Sequence, residues 1–118
     1  MIFEDYCFDV MNKDDLIAKV AITNNRKTVN IERFCDIPAI QPFCGSKLDL
    51  ERVYEFISYR CFEEGRPDKD ELLSLLGLKE YNPWEIVKVT HGRLWEDFLW
   101  IRFPGETITW KDVSYGRV

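Results

Sequence analysis

The chain has 118 residues, of which 46% are hydrophobic, 31% charged and 14% aromatic. That is length for one domain and enough apolar surface to exclude intrinsic disorder. Sixteen Lys and Arg against twenty-one Asp and Glu give a net charge of −5, which counts against nucleic acid or an anionic membrane as partner. No apolar run approaches the roughly 18–20 residues that span a bilayer. The opening MIFEDYCFDV has no basic segment followed by an apolar one. No membrane partner and no secretory leader are therefore expected, and the expected location is cytoplasmic.

Residues 1–46 read as mostly β. Ile2 to Val10 suits a first strand, and Asn12 to Asp15 a turn. Leu16, Ala18, Val20 and Ile22 then alternate with Ile17, Lys19, Ala21 and Thr23, the period that puts one row on a core face. Asn24 and Asn25 tolerate the positive φ of a tight turn. Residues 27–34 alternate again, so an antiparallel meander is expected. Pro38, Pro42 and Gly45 mark 35–47 as a crossing segment, with Ile37, Ile40 and Phe43 as its anchors to the core.

Residues 47–118 open with helix signals. Ser46 suits an N-cap, with Asp49 in the first turn, and Leu50, Val53, Tyr54, Ile57 and Cys61 follow a helical stripe. Asp68 and Glu71 fit a capping box for a short second helix that Gly77 stops. Asn82, Pro83 and Glu85 open a third, with Trp84, Ile86 and Val87 inward and Gly92 at its close. Residues 98–103 and 107–110 flank the turn pair Pro104 and Gly105 and read as a C-terminal hairpin, after which Thr109 and Asp112 suit one capped final turn. The expected class is α+β: an N-terminal antiparallel β-meander, three short helices and a C-terminal β-hairpin in a single domain, 1–118.

Catalytic chemistry finds little footing. His91, the one histidine, sits at a helix C-terminus, where the dipole suits it. Cys7, Cys35, Cys44 and Cys61 each have apolar neighbours, and the nearest two are nine residues apart, so they lack the close pair of a zinc knuckle. They are expected to be reduced, with no disulfide, no metal and no cofactor. No glycine-rich phosphate loop is present, and acidic pairs such as Glu63 and Glu64 read as solvated turns.

Aromatic surplus is the more useful signal. Leu99, Ile101 and Phe103 form one row of a strand and are expected inside. Phe98, Trp100 and Arg102 form the other row and, with Trp110, are the expected partner-binding residues, because aromatic and Arg side chains anchor protein interfaces. Should that row be buried, the acidic helical face around Glu55, Glu63 and Glu64 is the next place to look. Three helices before a hairpin also suit a winged-helix DNA-binding regulator. Against that, residues 47–118 carry eleven basic and fourteen acidic groups, and the third helix brings only Lys88 with Glu85.

The run LERVYEFISYRCF from Leu50 to Phe62 is similar to a family of small proteins of uncharacterised activity from Firmicutes and their mobile elements. So are YNPWEI (Tyr81 to Ile86), KVTHG (Lys88 to Gly92), WIRF (Trp100 to Phe103) and TWKDV (Thr109 to Val113). The resemblance spans about residues 15–113, and the chain departs from the pattern at Pro104, where an acidic residue is expected. Members are often encoded beside HipA-like kinases. The resemblance implies a non-enzymatic regulatory or accessory protein that binds another protein, in a toxin–antitoxin, kinase-accessory or phage setting. The expected partner is a kinase or a nucleoprotein effector. In one version the chain is a phage inhibitor of a host defence nuclease, whose acidic surface competes with DNA.

Overall fold

Period-two alternation becomes sheet in the first third of the chain. The computed structural model describes residues 4–45 and 48–114. In it β1 (Tyr6–Asn12), β2 (Asp15–Thr23) and β3 (Thr28–Arg33) run as an antiparallel meander. Ile2 and Phe3, expected in the first strand, lie outside the described residues. Phe8 pairs with Val20 and Tyr6 with Ile22, so apolar rows meet on one face. The β2–β3 turn holds Asn24, Asn25 and Arg26 at φ of 54°, 57° and 65°. Asn adopts this region readily, but Arg does not. Arg26 is held there by its guanidinium lying 4.0 Å from the Tyr6 ring centre and by donation to the Tyr54 hydroxyl at 3.2 Å.

One residue breaks the period. Val10 faces Ala18, but Met11 faces Leu16, which leaves Ile17 as the extra residue of a β-bulge. The bulge admits both Ile17 and Ala18 to the core and turns Leu16 to the opposite face. The expected row of Leu16 with Ala18, Val20 and Ile22 is corrected at its first member.

The crossing segment 35–45 has no regular structure, so side chains satisfy its backbone. Buried Gln41 donates to the carbonyls of Ile17 and Cys35 at 3.2 and 2.6 Å and accepts from the Phe43 N–H at 3.2 Å. Arg33 donates to the carbonyls of Phe43 and Gly45, and Arg52 to those of Pro42 and Cys44. Phe43 is thereby fixed in the core, while Ile37, expected as an anchor, is 57% exposed.

Four helices follow among the described residues. In α1 (Leu50–Tyr59) Asp49 is itself the N-cap and accepts from the Arg52 N–H at 3.0 Å; Ser46 lies outside the described residues. Its buried stripe is Val53, Phe56, Ile57 and, just past the helix, Arg60. The expected capping box of α2 (Lys69–Leu75) does not form, because Arg66 takes both oxygens of Asp68, at 2.9 and 3.0 Å. In α3 (Pro83–Thr90) Asn82 accepts from the N–H groups of Trp84 and Glu85, and Trp84, Ile86 and Val87 are buried as expected. The fourth helix, α4 (Trp110–Val113), carries the Thr109–Asp112 capping box.

The C-terminal hairpin does not form. β4 (Leu99–Arg102) pairs with β1, giving a four-stranded antiparallel sheet in the order β3-β2-β1-β4. Residues 107–109 are not strand, and 110–113 coil into α4. The free edge of β1 beside a ready core outcompetes a short local partner whose own caps favour a helix. The class is mixed α+β, and the second part contributes a strand to the sheet of the first. Tyr6, Phe8, Val20, Ile101 and neighbours pack on Val53, Phe56, Ile57, Trp84 and Val87 from the helices. A smaller cluster of Met11, Trp100, Trp110 and Val113 lies on the opposite face, roofed by α4. Among the described residues no helix is long and apolar enough to cross a membrane.

Candidate functional site

The four expected anchors do not form one surface. Trp100 is fully buried, and its indole N–H donates to the Lys13 carbonyl at 2.7 Å. Trp110 is buried against it, and its backbone N–H donates to Asp14 at 2.8 Å. Phe98, 37% exposed, sets its ring edge-on to Trp110 at 5.8 Å beneath the Lys13 ammonium. Arg102 is half-buried and pairs with Asp9 at 3.2 Å. The expected exposure is thus corrected at Trp100 and Trp110: α4 covers the face of β4 that strand period alone turns to solvent. Leu99 and Ile101 are buried as expected, and Phe103 packs half-buried on the core.

Exposed aromatics lie elsewhere. Tyr59 is 61% exposed at the end of α1, and Trp95 is 70% exposed in the 93–98 loop. An open groove of about 450 Å³ lies between α1 and the crossing segment, lined by Pro38, Pro42, Phe56, Tyr59, Asp97 and Leu99 among others. Glu55 also lines it, and the Tyr59 hydroxyl reaches Glu96 at 3.4 Å.

Arg60 builds the floor of this groove. Its Nη1 and Nη2 donate to the two oxygens of Asp97 at 2.7 and 2.9 Å, Nε to the Gly92 carbonyl at 2.6 Å, and Nη2 also to the Leu99 carbonyl at 2.8 Å. A buried charge is tolerated only when paired and hydrogen-bonded in this way. Gly92 makes room for it: a Cβ there would lie 2.9 Å from Ile101 Cδ1 and 3.2 Å from Arg60 Cβ, at a φ of +61°. Arg52 is likewise occupied by two carbonyls. The cations of the groove are therefore spent on the fold, while Glu55 and Glu96 stand exposed at its rim.

No protein-family model, curated protein or solved structure matches the chain.

The candidate chemistry resolves into structural contacts. His91 Nε2 lies 2.9 Å from Glu106, whose other oxygen accepts from the Phe103 N–H at 2.7 Å, so the pair ties the 103–106 turn to the end of α3. All four cysteines are free, half-buried thiols. Burial pushes the Cys61 thiol up to about 12, against the opposing pull of Arg60, and burial raises Cys7 as well. A thiol so shifted is a poor nucleophile at neutral pH. Among the described residues no three His, Cys, Asp or Glu side chains converge as a metal site. Lys88, the one cation of α3, is held by Glu4 at 3.2 Å and Glu85 at 3.0 Å.

Sequence reasoning missed Tyr59 and Arg60. Tyr59 had a readable signal, since it lies off the buried stripe of α1 and so projects from the polar face. Arg60 had none, because nothing local marks a cation whose partners lie 32 to 39 residues away.

Proposed function

We propose that this is a non-enzymatic regulatory or accessory protein of a bacterial or phage system that acts by binding another protein, a kinase or nucleoprotein effector with a basic groove. The observation that carries the reading is exposed Tyr59 on an open groove that Glu55 also lines, with Glu96 at 3.4 Å from the Tyr59 hydroxyl and Trp95, 70% exposed, next to Glu96 in the chain. Large aromatics supply contact area at small entropic cost, and carboxylates steer a cationic partner. The net charge of −5 acts in the same direction. The partner residues therefore move away from Phe98, Trp100 and Trp110, which pack together on the other face of the sheet. The DNA-binding alternative draws no support from α3, whose Lys88 is neutralised twice, or from β4, which pairs with β1 instead of forming a wing.

The test is affinity capture from the native host, followed by titration of the purified partner. Tyr59→Ala and Trp95→Ala are each expected to weaken binding about 10- to 30-fold, roughly 1.4–2 kcal/mol. Unfolding midpoints should stay unchanged, and binding should weaken with salt. Equal affinity of wild type and both variants overturns the reading, as does the capture of nothing.

A further inference from the structure

The two sheet edges differ in what their outward backbone groups meet. On β3, Phe34 donates its N–H to the Ile17 carbonyl at 2.9 Å, which fixes the phase of the ladder. Alternation then turns the backbone groups of Thr28, Asn30 and Glu32 toward β2, and those of Val29, Ile31 and Arg33 outward. Among the described residues none of those outward groups has a partner. An edge of this kind is a template for an added strand.

Side chains on the outer face of the sheet specify which strand. Glu32, Lys19, Asp9 and Arg102 stand directly opposite one another across β3, β2, β1 and β4. Their charges alternate. Asp9 takes both cations, Lys19 at 3.5 Å and Arg102 at 3.2 Å, so no described side chain forms an ion pair with Glu32. The row therefore ends at the open edge on an exposed carboxylate, and the next position across calls for a cation. On the core side of the same strand, Val29 and Ile31 are half-buried and call for apolar neighbours.

We infer that the β3 edge docks an extended segment of a partner protein with a Lys or Arg opposite Glu32 and apolar residues at the alternate positions facing Val29 and Ile31. This rests on the protein-binding reading above and names a second contact of the same partner. A second copy of this chain does not meet the requirement. In antiparallel registers centred from Asn30 to Arg33 Glu32 meets Thr28, Asn30, Phe34 or another Glu32, and in the register centred on Val29 it would meet Arg26, which lies on the Tyr6 ring and donates to Tyr54. Arg33 lies on the other face, where it holds the carbonyls of Phe43 and Gly45.

The test uses the full chain and a capped eight-residue peptide of alternating Lys and Val, with a Glu–Val peptide as counterpart. Peptide binding is expected to slow amide exchange at Val29, Ile31 and Arg33 at least tenfold, while Thr28, Asn30 and Glu32 change little. Glu32→Lys should weaken the Lys–Val peptide at least tenfold and bind the Glu–Val peptide instead; an unchanged amide spectrum elsewhere shows that it is folded. Ile31→Pro, whose lost N–H is an outward one, should also abolish binding. Unchanged exchange at the three amides overturns the inference, as does affinity indifferent to the charge at position 32. Sedimentation as a dimer that already protects those amides overturns it in favour of a second copy. A captured partner that needs Tyr59 and Trp95 but leaves the three amides unchanged removes this inference and keeps the protein-binding reading. If no partner is captured, that reading fails, while the peptide measurement still decides this one.

Discussion

Along β4 and at Phe103 just past it, the outward backbone groups are met by four residues outside the strand. The Leu99 carbonyl accepts from Arg60, the Leu99 N–H donates to Asp97, the Ile101 N–H to the His91 carbonyl and the Phe103 N–H to Glu106. β3, at the other edge, offers the same kinds of group to solvent. The closed edge is short, four residues, and sits where the helices return to the sheet. The open edge is longer and ends the meander before any helix has formed. Closing the β4 edge takes partners from beyond the strand, Asp97 and Glu106 from its flanks and His91 and Arg60 from the helical ends, and only β4 lies where they converge.

The largest expected effect comes from reopening the closed edge. Arg60→Ala leaves the carbonyls of Gly92 and Leu99 without their side-chain donor and the Asp97 carboxylate without its cation, in a site where Arg60 itself is almost wholly buried. Breaking one partner of a buried charge pair costs about 3–5 kcal/mol. Urea unfolding should show that loss as a lower midpoint with an unchanged slope. Arg60→Lys should recover only a minor part, because one ammonium cannot reproduce the planar fork. A loss below about 1 kcal/mol would mean that the edge is held by packing alone.

A sharper comparison uses one substitution at matched positions. Ile101→Pro removes an N–H that donates to the His91 carbonyl at 2.7 Å, in a fully buried residue. It should leave the chain largely unfolded, as proline does wherever a bonded N–H is lost. Ile31→Pro removes an N–H that faces outward on the open edge and costs mainly side-chain packing, about 1–2 kcal/mol. Circular dichroism and thermal midpoints of the two variants check the contrast. Equal damage at both positions would show that the β3 edge is not open.

What could be read from the sequence divides along the same line. The meander, the Asn82 cap with Pro83, the Thr109–Asp112 box and the inward set Trp84, Ile86 and Val87 depend on neighbours within a few residues, and they match. The pairing of β4 with β1 joins residues about 90 apart, and nothing in the local pattern of 98–110 distinguishes it from a hairpin. The error at Trp100 and Trp110 followed from that one mistaken partner, since the second face of β4 is covered only because α4 lies on it. The bulge at Ile17 was hidden for a related reason. Ile17 and Leu16 are both apolar, so either could hold the core face. Of the candidate site, the acidic character was legible and the Tyr59 groove was not, because its two banks come from separate parts of the chain.

The smallest expected effect lies in the row of alternating charges that runs from one edge to the other. Asp9 sits between Lys19 and Arg102 and bonds both, at a side-chain exposure of 21%. Asp9→Asn leaves two cations facing a neutral amide and should cost about 0.5–1.5 kcal/mol, a loss that shrinks as salt rises. Glu32 ends the row at the open edge with no described ion-pair partner, and its neighbour Lys19 is already engaged. Glu32→Gln should therefore change stability by no more than about 0.5 kcal/mol in either direction and show little dependence on salt. Urea titrations of both variants at low and high salt separate the two positions. A salt-sensitive loss at Glu32 as large as that at Asp9 would mean that the carboxylate already has a cation beside it, and the open edge would no longer lack one.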